Sequence, residues 1–347
     1  MAGQHEVLQQ FAQQAASCEK MGSPFTAQLC RVLAAHLDRS TAFGQRILEW
    51  DGDPFDDNIA LRACAGLHAL ARSGREPDLA AVYPPHKATD HDLWVVIAEL
   101  LTRNAVTLAL RLSSPPQTNE VARSGILLGG MLHVAAITRQ PLEIYEIGAS
   151  AGLNLGFDEY AYALGDGRRW GSPGAPLTIE TQWRGNMPPL ELPLQIVGRH
   201  GCDLHPIDPA NRDDRARLLS YVWADQAHRL ARLEAALALA AAEHRTVDEA
   251  DAADWLPRML AVPQAPGVTR VLFHTVVWQY IPPDKREALE ALIAAVGAAA
   301  SRQRPFAHLA VEGDGEPEAR VDLAVWPPGE TAMLGRADFH GRWVEWA

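Results

Sequence analysis

Leu142-Glu-Ile-Tyr-Glu146-Ile-Gly148-Ala-Ser150-Ala-Gly152-Leu-Asn154-Leu is the stretch on which the fold turns. Its first half is a short apolar and β-branched run ending in glycine, the pattern of a buried strand. Glycines at 148 and 152 let the backbone turn tightly and approach a ligand, and the helix expected over residues 152–164 would begin with free N–H groups. Glu146 places a carboxylate at the strand's end, where it can accept hydrogen bonds from a cationic amino-acid ligand or its ribose. A dinucleotide site uses G-x-G-x-x-G and no such acid.

Upstream of Pro141 the apolar period is helical throughout. Ser23-Pro24 opens one helix, residues 58–71 form another, and Asp90 caps a long apolar-periodic segment. After the break at Pro115-Pro116, Thr118 or Asn119 caps a last helix that leads into the strand at 142. Downstream, strands are expected at about 195–200, 270–277 and 306–312. Between them lie a long Ala/Leu/Arg helix over 211–244 and a helix over 284–300, and a hairpin closes the chain. Strand and helix alternation gives an open parallel sheet with helices on both faces. The expected organisation is an all-helical domain over 1–139 and an α/β domain over 140–347, with a Gly/Pro/Trp-rich insertion at about 165–193.

With 347 residues the chain is long enough for two domains. Its formal net charge of −12 disfavours duplex nucleic acid and anionic membrane surfaces as partners. The four cysteines, Cys18, Cys30, Cys64 and Cys202, lack Cys-x-x-Cys spacing, so neither a metal site nor a disulfide framework is expected. The first residues are too polar for a signal peptide, and no apolar run reads as a membrane span, so a cytoplasmic location is expected.

The segment from Glu146 through Gly148 to Gly152 resembles the first motif of class I S-adenosylmethionine-dependent methyltransferases, with Ser150 where a middle glycine is usual. The resemblance implies a Rossmann-like seven-stranded sheet ending in an antiparallel hairpin. It also implies S-adenosylmethionine as cofactor, held by Glu146, Gly148, Ser150, Gly152 and Asn154. His200-Gly-Cys-Asp203-Leu closes the second strand with an acid where that family binds the two ribose hydroxyls. Asp251-Ala252, followed by Trp255-Leu256, stands where the family faces the adenine. Roughly fifty residues separate Gly152 from Asp203, against a usual spacing of about twenty, and the 165–193 insertion accounts for the excess. For Asp203 an Asx turn into Pro206 is the alternative, and for Asp251 a surface acidic cluster with Asp248, Glu249 and Asp254.

Over nearly its full length the chain also resembles a bacterial domain-of-unknown-function family, number 2332. The residues that carry this likeness are Thr118-Asn119-Glu120-Val-x-Arg123, the glycine segment, Gly201-x-Asp203, Trp223-x-Asp225-Gln226, His274-x-Val-Val-Trp278-Gln279-Tyr280 and His340-Gly-Arg-Trp343. That likeness implies the fold and no activity.

Catalytic or substrate-facing candidates follow the fourth strand. His274 has an unperturbed pKa near 6.5, suited to a general base, and is equally readable as a buried strand histidine. Gln279 shares its loop, while Trp278 and Tyr280 read as packing. No Asn/Asp-Pro-Pro-Tyr sequence occurs there, which disfavours methylation of adenine or glutamine nitrogens. Asn119, Glu120 and Arg123 begin the helix that feeds the first strand, and are expected to line a substrate pocket; ordinary capping and an i,i+3 ion pair are the alternative. Three functions compete: a methyltransferase acting on a small molecule or protein, a catalytically silent binding or scaffold protein that kept the fold, and a nicotinamide-dependent oxidoreductase.

Overall fold

The computed structural model describes residues 3–347. The chain divides into two compact units, Met1–Thr118 with Arg212–Ala231, and Asn119–Asn211 with Arg232–Ala347.

The first unit is helical. Gln4–Lys20, Pro24–His36, Ala42–Leu48, Ile59–Arg72, Pro77–Ala81 and Asp90–Arg111 contribute Phe11, Leu33, Phe43, Ile47, Leu67 and Leu100 to one apolar core. Ser23 precedes the second helix, but its hydroxyl does not cap it. Asp225 accepts from the Phe25 N–H at 2.9 Å and from the Ser23 hydroxyl, so a distant carboxylate supplies the negative charge that a helix start favours. That reach explains a second difference. The helix expected over 211–244 is two, Arg212–Ser220 and Ala227–Ala242, broken at the turn that carries Asp225. Thr89, not Asp90, caps the last of the six, accepting from Asp92 N–H.

The second unit is a mixed α/β structure built on one large, mostly parallel sheet with antiparallel strands at the C-terminal end of the chain. Its strands, in chain order, are Leu142–Ile147 (β1), Ala161–Ala163 (β2), Arg169–Trp170 (β3), Thr178–Glu180 (β4), Gln182–Gly185 (β5), Ile196–Asp203 (β6), Asp248–Glu249 (β7), Thr269–Thr275 (β8), Phe306–Glu312 (β9), Ala319–Trp326 (β10), Glu330–Ala337 (β11) and Trp343–Trp346 (β12). The large sheet runs β5-β12-β11-β10-β9-β8-β1-β6-β7, and β3-β2-β4 form a small second sheet. Pairing is parallel from β7 through β6, β1 and β8 to β9. From β9 through β10 and β11 to β12 it is antiparallel.

The sheet therefore has nine strands rather than seven, with more than one strand reversed. Connections after β9 are only a few residues long, too short for the crossover a parallel neighbour requires. The insertion then adds an edge: β5 pairs parallel to β12, and Trp183 meets Trp346 with ring centroids 5.0 Å apart. The helix expected over 152–164 is absent. A short 3-10 turn, Asn154–Glu159, kinks at Gly156 and gives way to β2.

Asp90–Arg111 and Val121–Thr138 are both long and apolar enough, by length and composition, to cross a membrane, contrary to the reading of the sequence. The window in Val121–Thr138 is 78% buried within the protein, and Asp90–Arg111 gives Leu93, Ile97 and Leu101 to the helical core.

Candidate functional site

Because β7, β6, β1, β8 and β9 run the same way, their carboxyl ends share one edge of the sheet. Register brings Glu146 opposite Gly201 and Phe273, and Thr275 opposite Val311. Residues 148–152, Asp203, Asp251, residues 276–280 and Glu312 therefore all lie along that edge.

The glycine loop has an alternating backbone. Gly148, Ser150 and Gly152 have φ of 70°, 53° and 67°, so serine holds the left-handed conformation that glycine adopts at little cost. Gly148 is required twice over, since a Cβ there would lie 2.5 Å from Val277 Cγ2. Every N–H from residue 149 to 153 is already bonded. Ala149 donates to Cys202 O at 3.0 Å and Gly152 to Ala149 O at 2.7 Å. Ser150 donates to Asp203 Oδ2 at 2.8 Å. Ala151 and Leu153 both donate to Asn119 Oδ1.

Glu146 is 1% exposed. Burial, and then the nearby Asp203 carboxylate, push its carboxyl well above the usual range, while a bond from the Asn154 side chain and the charges of Arg123 and Arg245 act the other way. Its Oε2, Ser150 Oγ, Asn154 Oδ1 and Arg245 Nη1 are buried without a hydrogen-bond partner. Arg245, unremarked in the sequence, lies along this loop and pairs with Glu159 at 2.6 Å.

Asp203 makes the Asx turn, Oδ1 accepting from His205 N–H at 2.9 Å, while also holding Ser150. Asp251 caps Ala252–Ala261 through Ala253 N–H and pairs with Lys285 at 2.5 Å, which lowers its pKa. Ala252 is the first residue of that helix, and Trp255 and Leu256 sit in the core. Thus Glu146, Gly148, Ser150, Gly152, Asn154 and Asp203 come together at one loop.

The three residues that begin the expected last helix are buried and tied to their surroundings. Asn119 organises the glycine loop. Glu120, not Thr118 or Asn119, caps the following turn through Ala122 N–H and pairs with Arg232 at 2.8 Å. Arg123 donates from Nε to Phe339 O at 2.8 Å and from Nη1 to Thr275 O at 3.3 Å.

His274 points away from Glu146. Glu146 registers with Phe273, and neighbouring strand residues face opposite sides of a sheet. Both of its ring nitrogens are engaged, Nδ1 with Glu312 Oε1 at 2.7 Å and Nε2 with His308 Nε2 at 2.9 Å. Trp278 stacks on its ring at 4.6 Å. Burial, and then His274, lower the His308 pKa to about 3, so His308 is neutral near pH 7. Glu312 also accepts from Val277 N–H at 3.1 Å, holding the loop that follows Val276, a β-branched residue with φ of 54°. Gln279 is exposed. The alternation of β9 places His308 and Glu312 on one face and was visible in the sequence; their pairing with His274 was not.

Residues 8–346 match the model of a family described as "Uncharacterized protein conserved in bacteria (DUF2332)". The chain belongs to that family. No curated protein and no solved structure matches it.

Proposed function

We propose that this DUF2332 protein binds S-adenosylmethionine at the carboxyl edge of the parallel strands, in a Rossmann-like half-sheet, and acts as a methyltransferase on a small molecule or protein. The observation that carries the reading is the fate of the glycine-loop N–H groups. All five from residue 149 to 153 are bonded within the chain, and a short 3-10 turn replaces the helix that would follow. A dinucleotide's pyrophosphate needs open N–H groups and a helix start. Here it would instead meet the carboxyl groups of Glu146 and Asp203. A cationic cofactor without phosphate suits those groups.

Further support comes from the strand order β7-β6-β1-β8-β9, since open parallel sheets bind ligands outside their strand ends. Each Asp203 oxygen accepts one backbone bond, and a carboxylate oxygen has two lone pairs, leaving one on each for a ribose hydroxyl. The four unpartnered buried atoms of Glu146, Ser150, Asn154 and Arg245 fit a polar ligand at the same loop. The cofactor would supply a methyl group on a sulfonium, and the protein's part is alignment of the acceptor.

One observation favours a second reading, a binding or scaffold protein. His274, the expected base, has both nitrogens engaged within the chain. Thermal unfolding with S-adenosylhomocysteine and, separately, NADH tests these readings. A rise with S-adenosylhomocysteine alone supports the proposal, a rise with NADH alone supports an oxidoreductase, and no rise with either leaves the scaffold reading.

A further inference from the structure

The helix Asp90–Arg111 of the first unit is apolar on two sides. Leu93, Ile97, Leu100, Leu101 and Leu108 face the helical core. A second stripe faces outward: Val95 is 50% exposed, Val106 68% and Leu110 70%. Positions 95, 106 and 110 fall in one narrow sector of a helix with about 3.6 residues per turn, and exposed Thr102 lies between them. Only 28% of this helix's most apolar window is buried, against 78% in Val121–Thr138. An outward apolar stripe of this kind marks a contact with another body.

The charges along the same helix are sorted by position. Asp90, Asp92 and Glu99 lie in its first half, Arg103 and Arg111 in its second. Glu99 and Arg103 pair on the surface at 2.5 Å, and Arg103 also reaches Glu76 at 3.3 Å. Turned end for end about a two-fold axis near residues 100 and 101, the pattern complements itself. Val106 then meets Val95 of the second copy, Glu99 meets Arg103, and the acidic first turn meets Arg111. Each positive helix start also lies beside a negative helix end.

We propose that this face is a self-docking surface, through which two copies of the chain pair as an antiparallel, two-fold symmetric dimer. A two-fold contact uses one patch twice, so it needs the self-complementarity that this helix carries. A lipid surface suits the face less. Helices that lie on membranes carry Lys and Arg along their polar side, whereas Glu99 stands in the middle of this stripe, in a chain of net charge −12.

Analytical ultracentrifugation of the full-length protein over a range of concentrations tests the proposal. A species of twice the chain mass is expected, and Val106→Glu is expected to weaken self-association at least about tenfold, because it would bury an unpaired charge. The position is exposed in the single chain, so the variant should keep the wild-type circular dichroism. Cross-linking under a mild oxidant such as glutathione disulfide checks the direction, since all four native cysteines are buried. Thr102→Cys should form a covalent dimer, its two copies lying within one helical turn. Val95→Cys should not, because its copies would be about 18 Å apart along the axis. Interfaces of ordinary size have Kd values from about micromolar downward, so a protein still monomeric at about 100 μM would overturn the proposal. A dimer undisturbed by Val106→Glu would overturn it too, as would cross-linking at Val95→Cys or at neither position. Binding to phospholipid vesicles without self-association would give the face to a lipid surface instead and equally overturn it. If Val106→Glu fails to fold, the mass of the unaltered protein and the two cysteine variants decide.

Discussion

The side-chain oxygen of Asn119 accepts from the backbone N–H groups of both Ala151, at 3.3 Å, and Leu153, at 3.2 Å. One amide thus sets the shape of the glycine loop from a segment more than thirty residues earlier in the chain. Asn119→Ala leaves two buried donors unpaired and should cost about 1–3 kcal/mol of stability. Asn119→Asp keeps the accepting oxygen and should retain more of it. Urea denaturation of the two variants checks the order, and equal losses would count against this role.

Arg123 calls for a different expectation from the one its sequence position suggested. Read as a pocket residue at a helix start, it would be replaced at little cost to stability. Its guanidinium is instead buried and bonded to Phe339 O and Thr275 O. Arg123→Ala should destabilise by about 2–4 kcal/mol, since two buried carbonyls lose a charged donor. A change below about 0.5 kcal/mol, the scale of exposed sites, would show that these bonds do not form in solution.

The raised pKa of Glu146 gives a pH dependence with a definite sign. The folded state holds this proton more tightly than the unfolded state, so stability falls as pH rises from the unfolded value near 4.5. Glu146→Gln removes that loss. Its melting temperature should exceed the wild type's at pH 7, and the gap should shrink toward pH 4.5. The same variant should lose affinity for S-adenosylhomocysteine. A gap independent of pH would contradict the burial argument.

His308 acts in the opposite direction. Its folded pKa, about 3, lies below the ordinary 6.5, so its contribution is present above 6.5 and is lost as pH falls from there toward 3. His308→Asn should flatten the acid limb of the stability profile between those values. An acid limb identical to the wild type's would exclude the histidine pair as its source.

Asp203 joins local and cofactor roles. Asp203→Ala leaves Ser150 and His205 N–H groups without their acceptor and should weaken S-adenosylhomocysteine binding by about 1.5–3 kcal/mol, the worth of hydrogen bonds to a charged group. Calorimetry showing unchanged affinity in a folded variant would remove Asp203 from the cofactor site.

What was legible in the sequence depended on how local its cause was. Leu142–Ile147 and Phe306–Glu312 read as strands because their apolar runs are bounded by glycine or proline, and both occur with those bounds. Glu146, Gly148, Ser150, Gly152 and Asp203 were legible by position, since strand ends and turns constrain residue type locally. The stretch after Gly152 was not. Its sequence is helix-compatible, but Gly156 kinks where Arg245 passes, and Arg245 meets Glu159 across 86 residues of chain. Trp343–Trp346 alternates as a strand should. Its edge partner β5 comes from the insertion, so the ninth strand required knowing where a loop would return. The His274–His308–Glu312 chain joins two neighbouring strands, and only their pairing reveals it.

Titration of the unaltered protein with S-adenosylhomocysteine in a calorimeter tests the central claim most directly. One saturable site per chain, unaffected by excess NADH and lost in Glu146→Gln, is the predicted result. No binding heat at any temperature, with no change in thermal unfolding, or competition by NADH for the same site, would contradict it.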